Sequence, residues 1–375
     1  MKKIEMIDLS AHYCGIKQKI DRAVLDVIQS GKYINGKQVE DFSINLAKYT
    51  AAKHIIPCAN GTDALKLALL ALNLKEGDEV IIPDFTFIAA AEMIALLRLT
   101  PVVVDVDPHT FNIDVNKIAG AITGKTRAII PVHLFGQCCD MAPIMEIAHE
   151  KNLYIIEDNA QSIGAVYTFP DGRKQQAGTM GDIGTFSFFP TKNLGCYGDG
   201  GALATNNESL SQKLKMLTMH GQAKKYEHRI IGCNSRLDNI QAAILNVKLP
   251  HLDADIASRQ LAAKTYSRQL AGKTTQIETP AIQSYSGHVF NQYTIKINSE
   301  KRDSLRKHLL ENNIPTMIYY PTSVHSQEAF RKITKLGSDL SESEKLCRSV
   351  LSLPMHPNLS GEQINYIVEK LLEKL

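Results

Sequence analysis

Short apolar runs alternate with stretches of helical periodicity over roughly the first 200 residues. The apolar runs predict strands at residues 55–58, 80–82, 101–105, 128–132 and 153–156. The helical patterns between them cover residues 62–72, 89–97 and 141–151. Strands that are apolar on both faces are typical of a mostly parallel sheet with helices on each side. The pattern therefore predicts an α/β fold.

The pattern changes after Pro250. Before it, two closely spaced strands at 185–189 and 202–205 precede helices at 209–219 and 237–249. After it come a helix at 256–270, a strand at 290–297 and helices at 304–311, 342–351 and 362–375. We therefore expect a large domain over residues 1–250 and a smaller C-terminal α+β domain over residues 251–375.

The composition is that of an ordinary globular protein. Of the 375 residues, 44% are hydrophobic and 22% are charged, which excludes a disordered chain, a collagen and a coiled coil. Lys and Arg number 42 and Asp and Glu 39, and the difference of +3 is too small to indicate nucleic acid or an anionic membrane as a partner. The most apolar long stretch, residues 88–104, is interrupted by Glu92, Arg98 and Pro101, so we expect no membrane span.

The cysteines indicate a reducing compartment. There are seven, an odd number, with Cys138 and Cys139 adjacent and no C-x-x-C pair. A disulfide framework and a zinc site are therefore not expected, and reduced thiols fit a cytoplasmic protein. The first eight residues contain two lysines but no apolar stretch, so we expect no secretory signal.

Candidate chemistry follows the predicted strands, because open α/β sheets bind ligands at the carboxyl ends of their strands. Asp158 directly follows the apolar run at 153–157, with Gln161 three residues later; a helix N-cap is the alternative for Asp158. Residues 60–65, NGTDAL, follow another strand and open a helix. Small residues there leave N–H groups free to hold a phosphate, although an ordinary Thr or Asp cap also fits.

Lys192 ends the segment TFSFFPTK and precedes the glycine-rich GCYGDGG of residues 195–201. A surface lysine is the ordinary interpretation. In this apolar, glycine-flanked context a lysine is also a candidate Schiff-base nucleophile, because desolvation lowers its pKa. A lysine, an aspartate and a phosphate-binding turn are together what pyridoxal 5'-phosphate (PLP) requires, since the lysine binds the cofactor and the aspartate pairs with its pyridine nitrogen.

Five segments resemble those of the DegT/DnrJ/EryC1/StrS aminotransferases and occur in the same order. They are GT at 61–62, PDFT at 83–86, EDNAQSIGA at 157–165, SFFPTKNL at 187–194 and GGA at 200–202. The resemblance extends from about residue 5 to the C-terminus. It implies a fold-type I PLP enzyme, with a large domain and a smaller C-terminal domain, that aminates keto-sugars attached to nucleotides.

The resemblance also implies roles around the cofactor ring. Lys192 would bind PLP and then transfer a proton between cofactor and sugar, and Asp158 would pair with the pyridinium. Gln161 would lie near the ring or its 3-hydroxyl. Phe85 would stack on the ring, although a core phenylalanine is the alternative.

The phosphate would be bound by residues of two subunits. Gly61, Thr62 and Ser187 would bind it from one subunit, although Ser187 also fits an ordinary strand hydroxyl. Asn234 of the neighbouring subunit would reach it in this family, which implies a homodimer with shared active sites. A helix start also explains Asn234.

Four further residues would contact the substrate. Arg236 would reach it across the interface, with a structural salt bridge as the alternative. Tyr319 and Tyr320, with His325 behind them, resemble the family's substrate loop, and Tyr319 replaces a histidine that many members carry. The segment at 33–36, YING, matches one that often touches the sugar, although a turn also explains it.

The segments at 58–65, 194–201, 220–222 and 232–238, with Tyr226 and His228, are similar to those of enzymes that aminate UDP-2-acetamido-2-deoxy-3-oxo-glucuronate. Those enzymes take nitrogen from L-glutamate and serve synthesis of bacterial surface polysaccharide such as lipopolysaccharide O-antigen. His220 and His228 would bind diphosphate or carboxylate, or are surface residues. Amination of a dTDP-linked 3- or 4-keto-6-deoxyhexose is one alternative. A catalytically silent regulatory protein with the PLP fold is another.

Overall fold

A computed structural model describes residues 3–375. Met1 and Lys2, the start of the segment in which we expected no secretory signal, lie outside the described residues. The strands are β1 His54–Cys58, β2 Glu79–Pro83, β3 Thr100–Val104, β4 Thr126–Ile129, β5 Tyr154–Asp158, β6 Val166–Thr168, β7 Lys174–Gln176, β8 Ile183–Ser187, β9 Gly201–Thr205, β10 Gln222–Lys224, β11 Glu227–His228, β12 Ile277–Glu278, β13 Tyr293–Ile297, β14 Lys335–Leu336 and β15 Val350–Leu353. The helices are α1 Leu9–Ser30, α2 Lys37–Thr50, α3 Gly61–Ala71, α4 Ala89–Leu96, α5 Val115–Ala121, α6 Met141–Lys151, α7 Glu208–Thr218, α8 Asn239–Lys248, α9 Leu252–Leu270, α10 Ser299–Glu311, α11 Ser341–Ser349 and α12 Gly361–Leu372.

The main sheet has eight strands in the order β1-β9-β8-β5-β4-β2-β3-β14. The neighbours from β8 to β14 are parallel, whereas β9 runs antiparallel to both β1 and β8. The predicted α/β fold with a mostly parallel sheet is confirmed. The carboxyl ends of β2, β5 and β8 lie at one edge of this sheet, where the predicted PLP residues follow.

The sheet is buried on both faces because its strands carry apolar residues at successive positions. Ile81, Val102 and Ile129 pack into the core on one face, with helices such as α2 and α6. Ile82 and Val103 pack into the core on the other face, with α3 and α4. Removal of this apolar surface from water is the dominant stabilising contribution to such a layered fold.

The chain after α8 builds a second core. Strands β12, β13 and β15 form a three-stranded antiparallel sheet. Helices α9, α10 and α12 pack on it, and Tyr266 stacks on Tyr293 with ring centroids 4.9 Å apart. The segment between α10 and α11 returns to the large sheet, because β14 pairs with β3. A division at residue 250 stays a prediction.

One expectation needs correction, and two helices were not expected. The predicted helix at 342–351 ends at Ser349, because Val350–Leu353 is fully buried and pairs with β13 as a strand. Two long N-terminal helices, α1 and α2, were not predicted. Among residues 3–375, no helix combines the length and apolar character that crossing a membrane requires.

Candidate active site

Lys192 lies in the turn after β8. Its backbone N–H donates to Phe189 O at 2.9 Å. The following Asn193 is buried, and its side chain donates to Val289 O at 3.1 Å. This bond fixes the turn against the segment that precedes β13. The Lys192 side chain is half-buried, and its amine is enclosed by protein. Burial lowers the pKa of this amine, while the nearby charge of Asp158 acts in the opposite direction. A lowered pKa leaves more of the amine unprotonated near neutral pH, and the unprotonated amine is the form that acts as a nucleophile and accepts a proton.

Asp158 ends β5 and is buried. Its backbone N–H donates to Pro131 O at 2.9 Å, and its carbonyl accepts from the His133 N–H at 3.0 Å. One carboxylate oxygen accepts from the Ala160 N–H at 3.0 Å, a local turn rather than the cap of a helix. Burial raises the pKa of Asp158, and the Ala160 amide and Lys192 lower it in part. Because an opposite charge favours the ionised form of a buried acid, a cation beside Asp158 would stabilise its carboxylate.

The turn at residues 60–62, which we call the phosphate turn, opens α3 and lies against β8 and β9. Asn60 caps α3 by accepting from the Asp63 N–H at 2.8 Å, and the amides of Gly61 and Thr62 are the first, unpaired donors of the helix. A Cβ on Gly61 would lie 2.7 Å from Ser187 Cβ. The helix start and the predicted Ser187 are thus in contact, and only glycine allows this approach.

Aromatic rings lie at the same edge of the sheet as Asp158 and Gln161. Phe85, directly after β2, is fully buried. Tyr320 lies edge-on to it, with centroids 6.1 Å apart, and its hydroxyl accepts from Gln161 Nε2 at 3.1 Å. The Gln161 Oε1 accepts from the Phe135 N–H at 2.7 Å. Tyr319 is half-buried beside Tyr320, and burial raises its pKa.

We call residues 319–326 the tyrosine loop. Its His325 does not point freely into the crevice. Nδ1 donates to Asp84 Oδ2 at 2.7 Å, and the His325 backbone N–H donates to Asp84 Oδ1 at 2.9 Å. Burial raises the pKa of Asp84, while His325 lowers it in part. Asp84 precedes Phe85 in the PDFT segment but was given no role from the sequence.

The segment that includes Asn234 and Arg236 lies beside the start of α3. The Ala59 N–H donates to Ser235 Oγ at 3.1 Å, so Ser235 contacts the residue between β1 and the start of α3. Asn234 is exposed and Arg236 is half-buried. Residues 33–36 also reach this region, because the Asn239 N–H donates to Tyr33 O at 2.8 Å.

His220 and His228 lie at the exposed β10–β11 hairpin, where a nitrogen of His228 contacts the carbonyl of His220 at 2.9 Å. Two large apolar side chains in the same segment are almost fully exposed, Tyr226 at 84% and Ile231 at 95%. Both side chains belong to the segment that leads to Asn234.

The residues present fit PLP. The glycine-lined helix start accepts a phosphate, the buried Asp158 suits a pyridinium and the enclosed Lys192 amine suits an aldehyde. In addition, the Thr86 hydroxyl, next to Phe85, is buried without a partner among residues 3–375. These features, on a mostly parallel sheet, define the fold-type I class of PLP enzymes.

Comparison with known proteins agrees with this class. Residues 15–372 match the DegT/DnrJ/EryC1/StrS aminotransferase family, and the chain belongs to it. It is 46% identical to a pleiotropic regulatory protein of Geobacillus stearothermophilus over 371 residues, which are 99% of this chain and 98% of that one. It is 42% identical to UDP-2-acetamido-2-deoxy-3-oxo-D-glucuronate aminotransferase of Pseudomonas aeruginosa over 368 residues, 98% and 99% of the two chains. It is 43% identical to UDP-N-acetyl-3-dehydro-alpha-D-glucosamine 3-aminotransferase of Acidithiobacillus ferrooxidans, covering 96% and 95%.

Solved structures agree as well. S. venezuelae DesV superposes with a TM-score of 0.94 at 37% identity, covering 100% of this chain and 98% of that one. NtdA of Bacillus subtilis, solved with the cofactor pyridoxamine phosphate (PMP), gives 0.88 at 34% identity, covering 96% and 82%. The family is PLP-dependent, and the cofactor of this protein is PLP, with PMP as its aminated form.

Proposed function

We propose that this protein aminates carbon 3 of UDP-2-acetamido-2-deoxy-3-oxo-glucuronate with L-glutamate as the amino donor. Membership of a sugar aminotransferase family gives the reaction class. The observation that supports the substrate is 42% identity, over almost the whole of both chains, to an enzyme named for this keto-sugar. We further propose that the enzyme acts in the cytoplasm and supplies an amino-sugar for bacterial surface polysaccharide such as lipopolysaccharide O-antigen.

We assign the cofactor to Lys192, Asp158, Phe85, Gln161 and the phosphate turn. When bound, PLP supplies an electron sink that allows a proton to leave the carbon carrying nitrogen. Lys192 holds the cofactor and then, as a free amine, moves the proton at the sugar carbon that gains nitrogen. Its lowered pKa suits this role, because an amine must be unprotonated to accept a proton.

The remaining cofactor residues orient and retain the group. Asp158 would pair with the pyridine nitrogen of the cofactor, and Phe85 would stack on its ring. Gly61, Thr62 and Ser187 bind the phosphate through backbone and hydroxyl donors at the start of α3. Arg236, Tyr319 and Tyr320 are the proposed substrate contacts.

We also propose a homodimer in which Asn234 serves the phosphate of the neighbouring subunit. The exposed Asn234 and the exposed apolar Tyr226 and Ile231 in the same segment support this arrangement. The test is to mix Lys192→Ala with Asn234→Asp chains under exchange conditions. In a shared-site heterodimer one of the two sites has both native residues, so about a quarter of wild-type activity should return. No recovery would contradict the shared site.

Two other functions have some support. Relatives named for dTDP-3-amino-sugars, such as dTDP-3-amino-3,6-dideoxy-alpha-D-galactopyranose transaminase of Aneurinibacillus thermoaerophilus at 40% identity, favour a dTDP-linked 3- or 4-keto-6-deoxyhexose. The relative of Geobacillus stearothermophilus favours a regulatory protein. The lysine, aspartate and phosphate turn argue for retained catalysis.

The test is a product assay with one panel of substrates. Wild type and Lys192→Ala are each incubated with glutamate and one of three keto-sugars. These are UDP-2-acetamido-2-deoxy-3-oxo-glucuronate, UDP-3-oxo-N-acetylglucosamine and a dTDP-keto-6-deoxyhexose. The proposal predicts that wild type has its highest kcat/KM with UDP-2-acetamido-2-deoxy-3-oxo-glucuronate and that Lys192→Ala shows no turnover. Preference for a dTDP-sugar would replace the proposed substrate, and full activity of Lys192→Ala would overturn the assignment.

A further inference from the structure

Asp84 and His325 join the end of β2 to the tyrosine loop. We propose that this pair is a latch that positions the tyrosine loop over the cofactor site, and that His325 is a positioning residue rather than a substrate contact. The inference rests on the proposed function only in so far as the loop contacts a nucleotide-linked sugar.

Three hydrogen bonds from the loop converge on Asp84. The Val324 N–H donates to the Asp84 carbonyl at 3.0 Å. The His325 N–H and Nδ1 donate to the two carboxylate oxygens at 2.9 Å and 2.7 Å. Asp84 is completely buried and its own N–H donates to Val104 O at 2.9 Å, so the acceptor is fixed to the sheet. Charge-assisted bonds to a fixed, buried carboxylate are the stronger kind.

The other ring nitrogen of His325 also faces protein. Nε2 lies 3.0 Å from Ser326 Oγ and 3.6 Å from Glu344 Oε1. Glu344 belongs to α11, whose first turn is capped by a second buried aspartate, Asp105, at the end of β3. Asp105 accepts from the N–H groups of Glu342 and Ser343 at 2.9 Å and 2.8 Å. Neighbouring strands of the large sheet therefore hold both segments that enclose the His325 ring.

The latch is next to the residues that it would position. Phe85 follows Asp84 directly, and Tyr320 in the loop contacts both Phe85 and Phe87 with ring centroids 6.1 Å apart in each case. With His325 bound to Asp84, Tyr320 lies against Phe85, and Tyr319 lies beside Tyr320 with ring centroids 5.9 Å apart. Gln161 also holds Tyr320, at 3.1 Å, so the latch adds a second anchor on the far side of the exposed Pro321 and half-buried Thr322.

Kinetics with two substrates distinguish positioning from contact. His325→Leu removes the Nδ1 donor, and we expect the KM for the nucleotide keto-sugar to rise about tenfold, since small misplacements of binding groups have large effects. The KM for glutamate should change less than about twofold. His325→Asn keeps an N–H donor near the position of Nδ1 but has nothing in place of Nε2. It should therefore restore KM to within about threefold of wild type.

A fluorescence measurement tests the latch without turnover. The chain has no tryptophan, so Tyr319→Trp gives the holoenzyme one reporter in the tyrosine loop. Acrylamide quenching should increase when His325→Leu is added and return to the starting value with His325→Asn. His149→Leu, at an exposed histidine of α6, is the matched control and should change neither quenching nor KM.

Each result decides the inference. Recovery by Asn in both measurements supports the latch. If the KM for the keto-sugar rose equally in His325→Leu and His325→Asn while quenching stayed unchanged, His325 would be a direct substrate contact and the latch would be overturned. No effect of His325→Leu on either KM or quenching would also overturn the latch. If wild type turned over no nucleotide keto-sugar, the proposed function would fail, while quenching would still support or overturn the latch.

Discussion

Gln161 Nε2 donates to the Tyr320 hydroxyl at 3.1 Å, although 159 residues separate the two in sequence. Gln161 lies just after β5 beside Asp158, whereas Tyr320 belongs to a loop that leaves the second core. One hydrogen bond thus joins the cofactor residues at the sheet edge to the loop proposed to contact the sugar. Because Gln161 Oε1 is held by the Phe135 amide, its Nε2 has a fixed direction.

Tyr320→Phe should weaken catalysis without releasing the cofactor. The substitution keeps the ring beside Phe85 but removes the acceptor of Gln161, leaving a buried donor unpaired at a cost of about 1–3 kcal/mol. We expect kcat/KM for the keto-sugar to fall roughly tenfold with PLP content unchanged. Steady-state kinetics and PLP absorbance measure both quantities. Tyr154→Phe, at an exposed tyrosine, is the control, and an equal loss there would contradict the explanation.

Lys192→Ala should lose at least about 1,000-fold in turnover, because the variant has neither the covalent attachment nor the proton-transfer amine. The phosphate turn and Asp158 remain, so PLP should still bind reversibly. Product formation and dialysis of the cofactor test the two statements. Lys53→Ala removes an exposed lysine and should leave both unchanged. Activity within tenfold of wild type in Lys192→Ala is incompatible with the site.

Gly61→Ala should weaken PLP binding. Its Cβ would lie 2.7 Å from Ser187 Cβ, closer than packed side chains allow, so α3 or β8 must move and the phosphate turn changes shape. We expect the Kd for PLP to rise at least about tenfold, as measured by titration of the apoprotein. Gly120→Ala is the matched control in α5, where an added Cβ meets no atom within 4 Å. Equal affinities for PLP in the two variants would contradict the assignment of the phosphate turn.

The free energy of unfolding at acid pH should depend on His288. Burial lowers the pKa of His288 from 6.5 to about 3, and its Nδ1 accepts from the Phe290 N–H at 3.1 Å. Between these values the unfolded chain binds one more proton than the folded chain. Stability therefore rises with pH in this window and is lost on acidification, by at most about 1.4 kcal/mol per unit.

His288→Gln should flatten this dependence. Urea unfolding at pH values from about 7 to 5 compares the slopes of the free energy of unfolding. Burial of His356 lowers its pKa to about 4, so part of the slope remains in the variant. His109→Gln, at an exposed histidine, should keep the wild-type slope. An unchanged slope in His288→Gln would show that His288 does not contribute to the pH dependence of stability.

Local sequence was enough for strands β1 to β5 and for placing the candidate cofactor residues at strand ends, while the roles of those residues stay predictions. Lys192, Asp158 and the turn at Gly61 each follow a buried apolar run, and parallel strands bring such ends to one edge. Helices α1 and α2 were missed because each buries few apolar residues, only Ile20 and Val27 in α1 and only Phe42 and Leu46 in α2. The contact of Asp84 with His325 spans 241 residues and leaves no periodic signal in either segment.

The most direct test of the central claim is the visible absorbance of the purified protein before and after L-glutamate is added, followed by the UDP-3-oxo-glucuronate derivative. The account predicts a band from lysine-bound PLP that disappears with glutamate and returns with the keto-sugar. It predicts no such band in Lys192→Ala. A protein that shows no band even after PLP is supplied, or a band that neither substrate changes, would contradict the account.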